Sequence, residues 1–351
     1  MTTIGVGMIA RDELIVIVRA IESLKGVVDE IVVVDTGSSD RTREFARDAG
    51  ARVEEFPWCD DFSAARNYAF SKVRSDWVMC LDADEIFSCN PAEFRAEVAA
   101  LPETVTVGMI QVRYQNTDFA FNSARLSRKD QGMWVGKCHE YLFSKTGIRQ
   151  VLKTAEIVHA KPAERRENGT ERNIRILTKT LGEHPDDARS LFYLGREYKE
   201  KGLYREAISV LERYLPLSTW PSEKCRAHLD LCDCYGHLGE YVPAQGAALD
   251  AIKTNDKVLE AYQRLAWIAY MRQDWKMCEN WGILSVNLPE NKEPVLFETV
   301  NMFPTYDYLA ISCWNTGNFK VGEKYARKAK YLAPTNPRVA NNLAIYEKAA
   351  V

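Results

Sequence analysis

Asp82-Ala83-Asp84 closes the apolar run Trp77-Val78-Met79-Cys80-Leu81, so two carboxylates flank one small residue directly after a buried strand. Hard carboxylate oxygens suit Mg2+ or Mn2+, ions commonly held by one or two carboxylates together with substrate phosphates. The pair reads as a site for a divalent cation carried by a diphosphate, although an Asp-x-Asp alone is also a solvated turn with a helix cap. Asp35, opening Asp35-Thr36-Gly37-Ser38-Ser39-Asp40, ends a second apolar run, where its carboxylate can accept hydrogen bonds from a base or a ribose, or cap a helix. In Phe62-Ser63-Ala64-Ala65-Arg66-Asn67, Ser63 is expected to cap a helix. Arg66 in its first turn opposes the helix dipole, which a nearby anion or polar base would rationalise; a surface ion pair is the plainer alternative. His159 ends Ile157-Val158-His159, and its neutral imidazole beside two carboxylates would complete a metal site, unless it is a boundary histidine. Glu140, in Trp134-Val135-Gly136-Lys137-Cys138-His139-Glu140, is the nearest candidate general base outside the metal shell.

These residues need a scaffold that gathers strand ends. Strand-length apolar runs at Thr3–Ala10, Glu30–Asp35, Arg52–Phe56 and Asp76–Asp82 alternate with helical patterns, which is the order of a parallel α/β sheet. Ile31-Val32-Val33-Val34 is continuous and β-branched, as in a central strand covered on both faces. Ligands of such sheets sit beyond the carboxyl ends of the strands, where Arg11-Asp12-Glu13, Asp35 and Asp82-Ala83-Asp84 fall. Ser39 or Asp40 is expected to cap the helix that follows the second strand. Longer runs at Thr104–Tyr114, Asn122–Arg128, Trp134–Phe143 and Val151–His159 predict a mixed or antiparallel extension.

From about Glu164 helical periodicity takes over, and a unit repeats at Leu194–Ala207, Leu231–Ala244, Leu265–Cys278 and Leu309–Gly322. Its turn aromatics, Tyr204, Tyr241, Trp275 and Phe319, recur near the ~34-residue period of tetratricopeptide helix pairs, with an insertion at Leu288–Thr305 before the last. The aromatics read as core. A stack of such pairs makes either a concave groove for an extended peptide or a surface for a homodimer. The expected division is a sheet domain over 1–163, a connecting helix over 164–186 and repeats over 187–351, an α/β domain followed by an all-α one.

The 351 residues suffice for two domains, and 46% hydrophobic with 27% charged residues is a globular composition. The formal charge is −5 up to Ala160 and +2 beyond it, so neither half is basic, which argues against a nucleic-acid partner. Nine scattered cysteines, without a C-x-x-C pair, fit reduced thiols in the cytoplasm. Met1–Ala10 lacks a basic start and reads as a first strand rather than a leader, and the absence of an 18-residue apolar run leaves no expected membrane span.

Taken together, Met8-Ile9-Ala10-Arg11-Asp12-Glu13, Val34-Asp35-Thr36-Gly37-Ser38-Ser39-Asp40-Arg41-Thr42, Phe62–Asn67, Leu81-Asp82-Ala83-Asp84-Glu85 and the Gly-x-x-His-Glu at Gly136–Glu140 resemble family 2 glycosyltransferases of the GT-A (Rossmann-like) fold, in the subset fused to C-terminal tetratricopeptide repeats. The resemblance implies a metal-dependent, inverting enzyme that moves a sugar from a nucleotide-sugar, a UDP-sugar by likeness, with Mn2+ or Mg2+ as cofactor. It implies that Ala10 and Glu13 line the nucleotide pocket, that Asp35 meets the base, that Arg66 contacts the base or its phosphate side, and that Asp82 holds the ribose or the metal shell. Asp84 would be the principal metal ligand, His159 would complete the metal or pyrophosphate site, and Glu140 is similar in placement to the base of inverting members. Arg165, Arg166, Arg172 and Asn173 could meet the diphosphate or form a solvated helix face. The expected acceptor is a protein or peptide recruited by the repeats. A saccharide, lipid-linked or nucleic-acid acceptor, or a repeat scaffold with an inactive transferase domain, is the competing expectation.

Overall fold

The computed structural model describes residues 1–115, 119–144, 147–160, 169–288 and 301–349. The chain divides into two compact units, Met1–Thr180 and Leu181–Val351. The first opens with β1 (Ile4–Ala10), α1 (Ile17–Glu22), β2 (Glu30–Asp35), α2 (Thr42–Asp48), β3 (Arg52–Glu55), α3 (Phe62–Lys72) and β4 (Trp77–Cys80). It continues through β5 (Glu85–Cys89), α4 (Pro91–Ala99), β6 (Val107–Tyr114), β7 (Ala120–Arg128), β8 (Gly132–Val135), β9 (Tyr141–Ser144), β10 (Arg149–His159) and α5 (Gly169–Glu183).

Eight strands form one mixed sheet in the order β3-β2-β1-β4-β7-β6-β10-β5. β1 to β4 run parallel, β7 is antiparallel to β4 and β6, and β5 closes the far edge antiparallel to β10. Val32, Val33 and Val34 are fully buried, as a parallel strand covered on both faces requires, and β2 lies one strand in from the edge. The apolar core under the sheet joins Ile4, Val6 and Met8 of β1 to Ile17 and Ile21 of α1, Met79 of β4, Leu81 just after it, and Phe94 of α4.

Three local expectations are corrected. Trp134–Phe143 is two strands, because Gly136 (φ +100°) and His139 (φ +53°) turn the chain between them; β8 and β9 then pair as a separate two-stranded sheet. Asp61, not Ser63, caps α3: its carboxylate accepts from Ala64 N at 2.9 Å and from the Ser63 hydroxyl at 2.7 Å. α2 starts at Thr42 with no side-chain cap on its N-cap residue Arg41, since Ser39 donates to Asp12 and Asp40 accepts from Thr42 N at 2.9 Å. The strand β5 carries only Ile86 and Phe87 as strong apolar signal and owes its form to pairing with β10. Residues 164–168 of the expected connecting helix lie outside the described residues. Most of α5 belongs with the first unit, where Arg175 pairs with Asp60 at 2.9 Å and Ile176 and Leu177 are buried.

The second unit is a run of antiparallel helix pairs: α6 (Ala188–Glu200) with α7 (Tyr204–Tyr214), α8 (Pro221–His237) with α9 (Tyr241–Thr254), α10 (Leu259–Met271) with α11 (Trp275–Asn287), and α12 (Phe303–Asn315) with α13 (Phe319–Leu332), followed by α14 (Pro337–Ala349). Each turn aromatic opens the second helix of its pair, as a tetratricopeptide-like repeat requires. Residues 289–300 of the expected insertion lie outside the described residues. Two residues before each aromatic the backbone enters the left-handed region, at Gly202 (+77°), Gly239 (+76°), Gln273 (+57°) and Gly317 (+76°). Gln273 bears a Cβ strain the three glycines avoid, so Gln273→Gly is expected to raise urea stability by about 0.5–1 kcal/mol. A variant less stable than the parent would contradict this.

A buried ion cluster ties α6 to α8. Asp230 is fully buried and accepts from Arg226 at 2.8 Å and from Lys199, while Arg196 approaches at 3.7 Å. Burial works against its charge, but Arg226 and Lys199 outweigh it and hold the carboxyl well below the usual range. A depressed folded pKa gives stability that is complete above the ordinary value of about 3.9 and is lost as pH falls below it. Asp230→Asn is expected to cost about 3–5 kcal/mol, since it leaves Arg226 buried without its carboxylate. A melting curve unchanged from pH 7 to 3 in the parent would contradict the assignment.

Candidate active site

The parallel register sets the site. Ala10 lies opposite Asp35 across β1 and β2, and the Ala10 carbonyl accepts from Thr36 N at 2.9 Å, so both strands end level. Asp35 is 2% exposed, and its Oδ1 accepts from Gly37 N at 3.1 Å and Ser38 N at 3.0 Å. Its Oδ2 is buried with no hydrogen-bond partner among the described residues. A buried acceptor left open is costly, so this atom fits a ligand N–H or O–H. The loop after β1 is locked to the one after β2: Asp12, at φ +54°, accepts from Ser39 N at 2.7 Å, and Glu13 N donates to the Thr42 hydroxyl at 2.8 Å.

Beyond β4, Asp82 sits between two guanidiniums. Arg66 of α3 reaches its Oδ1 at 2.8 Å, and Arg125 of β7 approaches Oδ2 at 3.5 Å. Burial opposes ionising Asp82, but the two arginines outweigh it and hold the carboxyl well below the usual carboxylate range. Arg66 also donates through Nε to Glu140 Oε1 at 2.5 Å, through NH1 to Cys80 Sγ at 2.9 Å, and its guanidinium lies 5.1 Å from the Trp134 ring centre. Arg66 thus couples Asp82 to Glu140; it is the fifth residue of α3, past the first turn in which the sequence places it, because the helix starts at Phe62.

Arg125 continues the network to Glu85, at 2.7 Å, and the second oxygen of Glu85 accepts from Asp82 N at 2.9 Å. Burial, opposed by Arg125 and aided by Asp82, pushes the Glu85 carboxyl up to about 7. His159 pairs in register with Glu85 across β10 and β5, and its Nδ1 lies 3.7 Å from Asp84 Oδ1 and 3.9 Å from Glu85 Oε1. The Asp84 carbonyl accepts from Ala160 N at 3.0 Å, and the edge of the Tyr114 ring rests against His159. Sheet pairing therefore carries His159 to Asp84.

Among the described residues no group of three or more His, Cys, Asp and Glu side chains is placed to hold a metal. Arg66 and Arg125 face the two oxygens of Asp82, while Asp84 and His159 place a carboxylate oxygen and an imidazole nitrogen 3.7 Å apart. One carboxylate and one imidazole fit an ion that takes its remaining ligands from substrate phosphates and water. Arg165 and Arg166 lie outside the described residues. Arg172 stacks on Phe62 with its guanidinium 4.9 Å from the ring centre and donates to Asn173 at 3.4 Å. Arg125 and Glu85 are the members that sequence reasoning missed; the available signal was an arginine between Ala124 and Leu126 in an expected strand and an acid directly after Asp84.

A family model described as Glycosyl transferase family 2 matches residues 6–159. The SPbeta prophage-derived glycosyltransferase SunS of Bacillus subtilis is 28% identical over 227 residues, which is 60% of this chain and 53% of that protein. A TPR repeat-containing protein of Synechococcus elongatus is 48% identical over 85 residues, 24% of this chain and 21% of the relative, and an uncharacterized glycosyltransferase of Rickettsia felis is 39% identical over 88, covering 25% and 31%. The chain thus spans about half or less of the length of these curated relatives. Among solved structures, MamA aligns with a TM-score of 0.39 at 20% identity, over 46% of this chain and 86% of that one. Glucosyl-3-phosphoglycerate synthase from Mycobacterium tuberculosis, in complex with Mn2+, UDP and glucosyl-3-phosphoglycerate, aligns with a TM-score of 0.28 at 26% identity, over 33% and 45%. No helix among the described residues is long and apolar enough to cross a membrane.

Proposed function

We propose, from the match of residues 6–159 to the glycosyl transferase family 2 model, that the chain transfers a sugar from a UDP-sugar to a polypeptide acceptor with inversion at the anomeric carbon. The observation that carries this reading is the convergence of Asp82 and Asp84, His159 and Glu140, from three separate segments, at the edge where Asp35 keeps a buried acceptor atom open.

Asp35 Oδ2 accepts from an N–H of the base, and Ala10 and Glu13 wall the nucleotide. Asp82, kept ionised between Arg66 and Arg125, accepts a ribose hydroxyl. Asp84 and His159 would hold Mn2+ or Mg2+, which when bound would offset the charge that develops on the departing nucleoside diphosphate. Glu140 is fixed by Arg66 through Oε1, leaving Oε2 to take the acceptor proton. The acceptor heteroatom bonds to the anomeric carbon from the face opposite the breaking carbon–oxygen bond, and the electron pair of that bond leaves with the diphosphate.

The repeats recruit the polypeptide. Within them a cavity of about 340 Å³ is lined by His237, Gln263, Arg264, Trp267 and Tyr308, a mixture of rings and hydrogen-bonding groups suited to peptide side chains and amides. The test is a panel of UDP-, GDP- and dTDP-sugars, each with and without Mn2+, read by thermal shift and by release of nucleoside diphosphate. A UDP-sugar is expected to stabilise and to be slowly hydrolysed only when the metal is present. No stabilisation and no hydrolysis with any donor would contradict the proposal.

A further inference from the structure

The β8–β9 hairpin breaks the usual rule for its two faces. Its inner face carries Trp134 and Leu142, which are buried against Phe70, Val78, Cys80 and Val107. The outer face carries Met133 opposite Phe143 and Val135 opposite Tyr141. An antiparallel pair with one solvated face normally presents polar residues there. Here all four are large and apolar or aromatic, with Met133 54%, Phe143 42% and Tyr141 38% exposed, and neither strand contains a charged residue.

The strand edges are engaged by side chains. Asn67 donates to the Trp134 carbonyl at 2.9 Å and accepts from Trp134 N at 2.8 Å, as a neighbouring strand would, and Arg149 donates to the Leu142 carbonyl at 3.2 Å. The hairpin therefore offers a partner its outer face rather than an open edge for strand addition. Glu140 directly precedes Tyr141 in the chain, and its carboxylate is held at the network by Arg66. An acceptor atom within hydrogen-bond reach of Glu140 brings its own chain neighbours, spaced about 3.3–3.6 Å per residue, next to the outer face.

We infer that the outer face of the β8–β9 hairpin is the surface on which the polypeptide acceptor lays an apolar stretch beside the residue that receives the sugar. The inference rests on the transferase reading with Glu140 as base. It makes the acceptor sequence selective close to the modified residue: uncharged, bulky apolar or aromatic neighbours are favoured, because no residue of this face carries a charge.

The experiment offers two pools of short synthetic peptides, each with a central Ser, Thr or Cys, flanked in one pool by Leu and Phe and in the other by Lys and Glu. The donor is the sugar nucleotide that the parent protein hydrolyses, and the readout is the ratio of peptide transfer to donor hydrolysis. The Leu/Phe pool is expected to be preferred by roughly ten-fold or more, and Phe143→Ser and Met133→Ser each to lower its ratio by about ten-fold, with Phe143→Leu restoring most of it. Equal use of the two pools, or an unchanged ratio in both serine variants, would overturn the inference. Hydrolysis without transfer to either pool overturns it while leaving the transferase reading standing; absence of donor binding and hydrolysis overturns that reading and the inference with it. Flotation with phosphatidylcholine vesicles, or a dimer, that Phe143→Ser abolishes while both pools are used equally would assign the face to lipid or to a second copy, and also overturns it.

Discussion

Asp84→Ala is expected to lower sugar transfer and donor hydrolysis by roughly 10³-fold, about 4 kcal/mol of transition-state stabilisation. The change removes the carboxylate beside His159 but keeps the Asp84 carbonyl that accepts from Ala160 N, so the β5 to β10 connection survives and the melting temperature should stay close to that of the parent. The dependence of rate on Mn2+ should disappear along with the activity. A folded Asp84→Ala protein with more than a tenth of parental turnover would show that charge on the leaving group is offset elsewhere. Asp82 is expected to compensate little, because Arg66 and Arg125 already offset its charge.

The second large effect is at Glu140. Glu140→Gln is expected to lower transfer by roughly 10²–10⁴-fold, the range for loss of a general base. The amide oxygen of glutamine can still accept from Arg66 Nε, so Arg66 stays directed at Asp82 and donor affinity should change little. The split is therefore in kcat with the donor KM nearly constant, which a general loss of structure would not give. A near-parental kcat would place proton removal on another group.

Much of this site is legible in the sequence because local signals set it. Asp35 and Asp82-Ala83-Asp84 follow continuous apolar strands, and parallel strands of one sheet end at one edge, so the carboxylates had to gather there. The four turn aromatics of the repeats are likewise local, each following a turn in the left-handed region. The rest depends on partners far along the chain. Arg125 meets Glu85 across 40 residues and Arg66 meets Glu140 across 74, and no pattern around any of them specifies the pairing. The run Trp134–Phe143 has strand-forming residues at its two ends, and the backbone at Gly136 and His139 turns the chain between them and thereby forms the apolar hairpin beside Glu140. A hydroxyl is a good cap, which points to Ser63, but α3 starts earlier, at Phe62, and Asp61 caps it by accepting from Ala64 N.

The account stands on Asp84 and His159 jointly holding the ion that accompanies the donor diphosphate. Anomalous diffraction at the manganese edge, from crystals soaked with Mn2+ and UDP, tests this most directly. One manganese peak within bonding distance of Asp84 and His159 and of the UDP phosphate oxygens is the predicted result; UDP bound with the manganese on other residues, or with none, contradicts it.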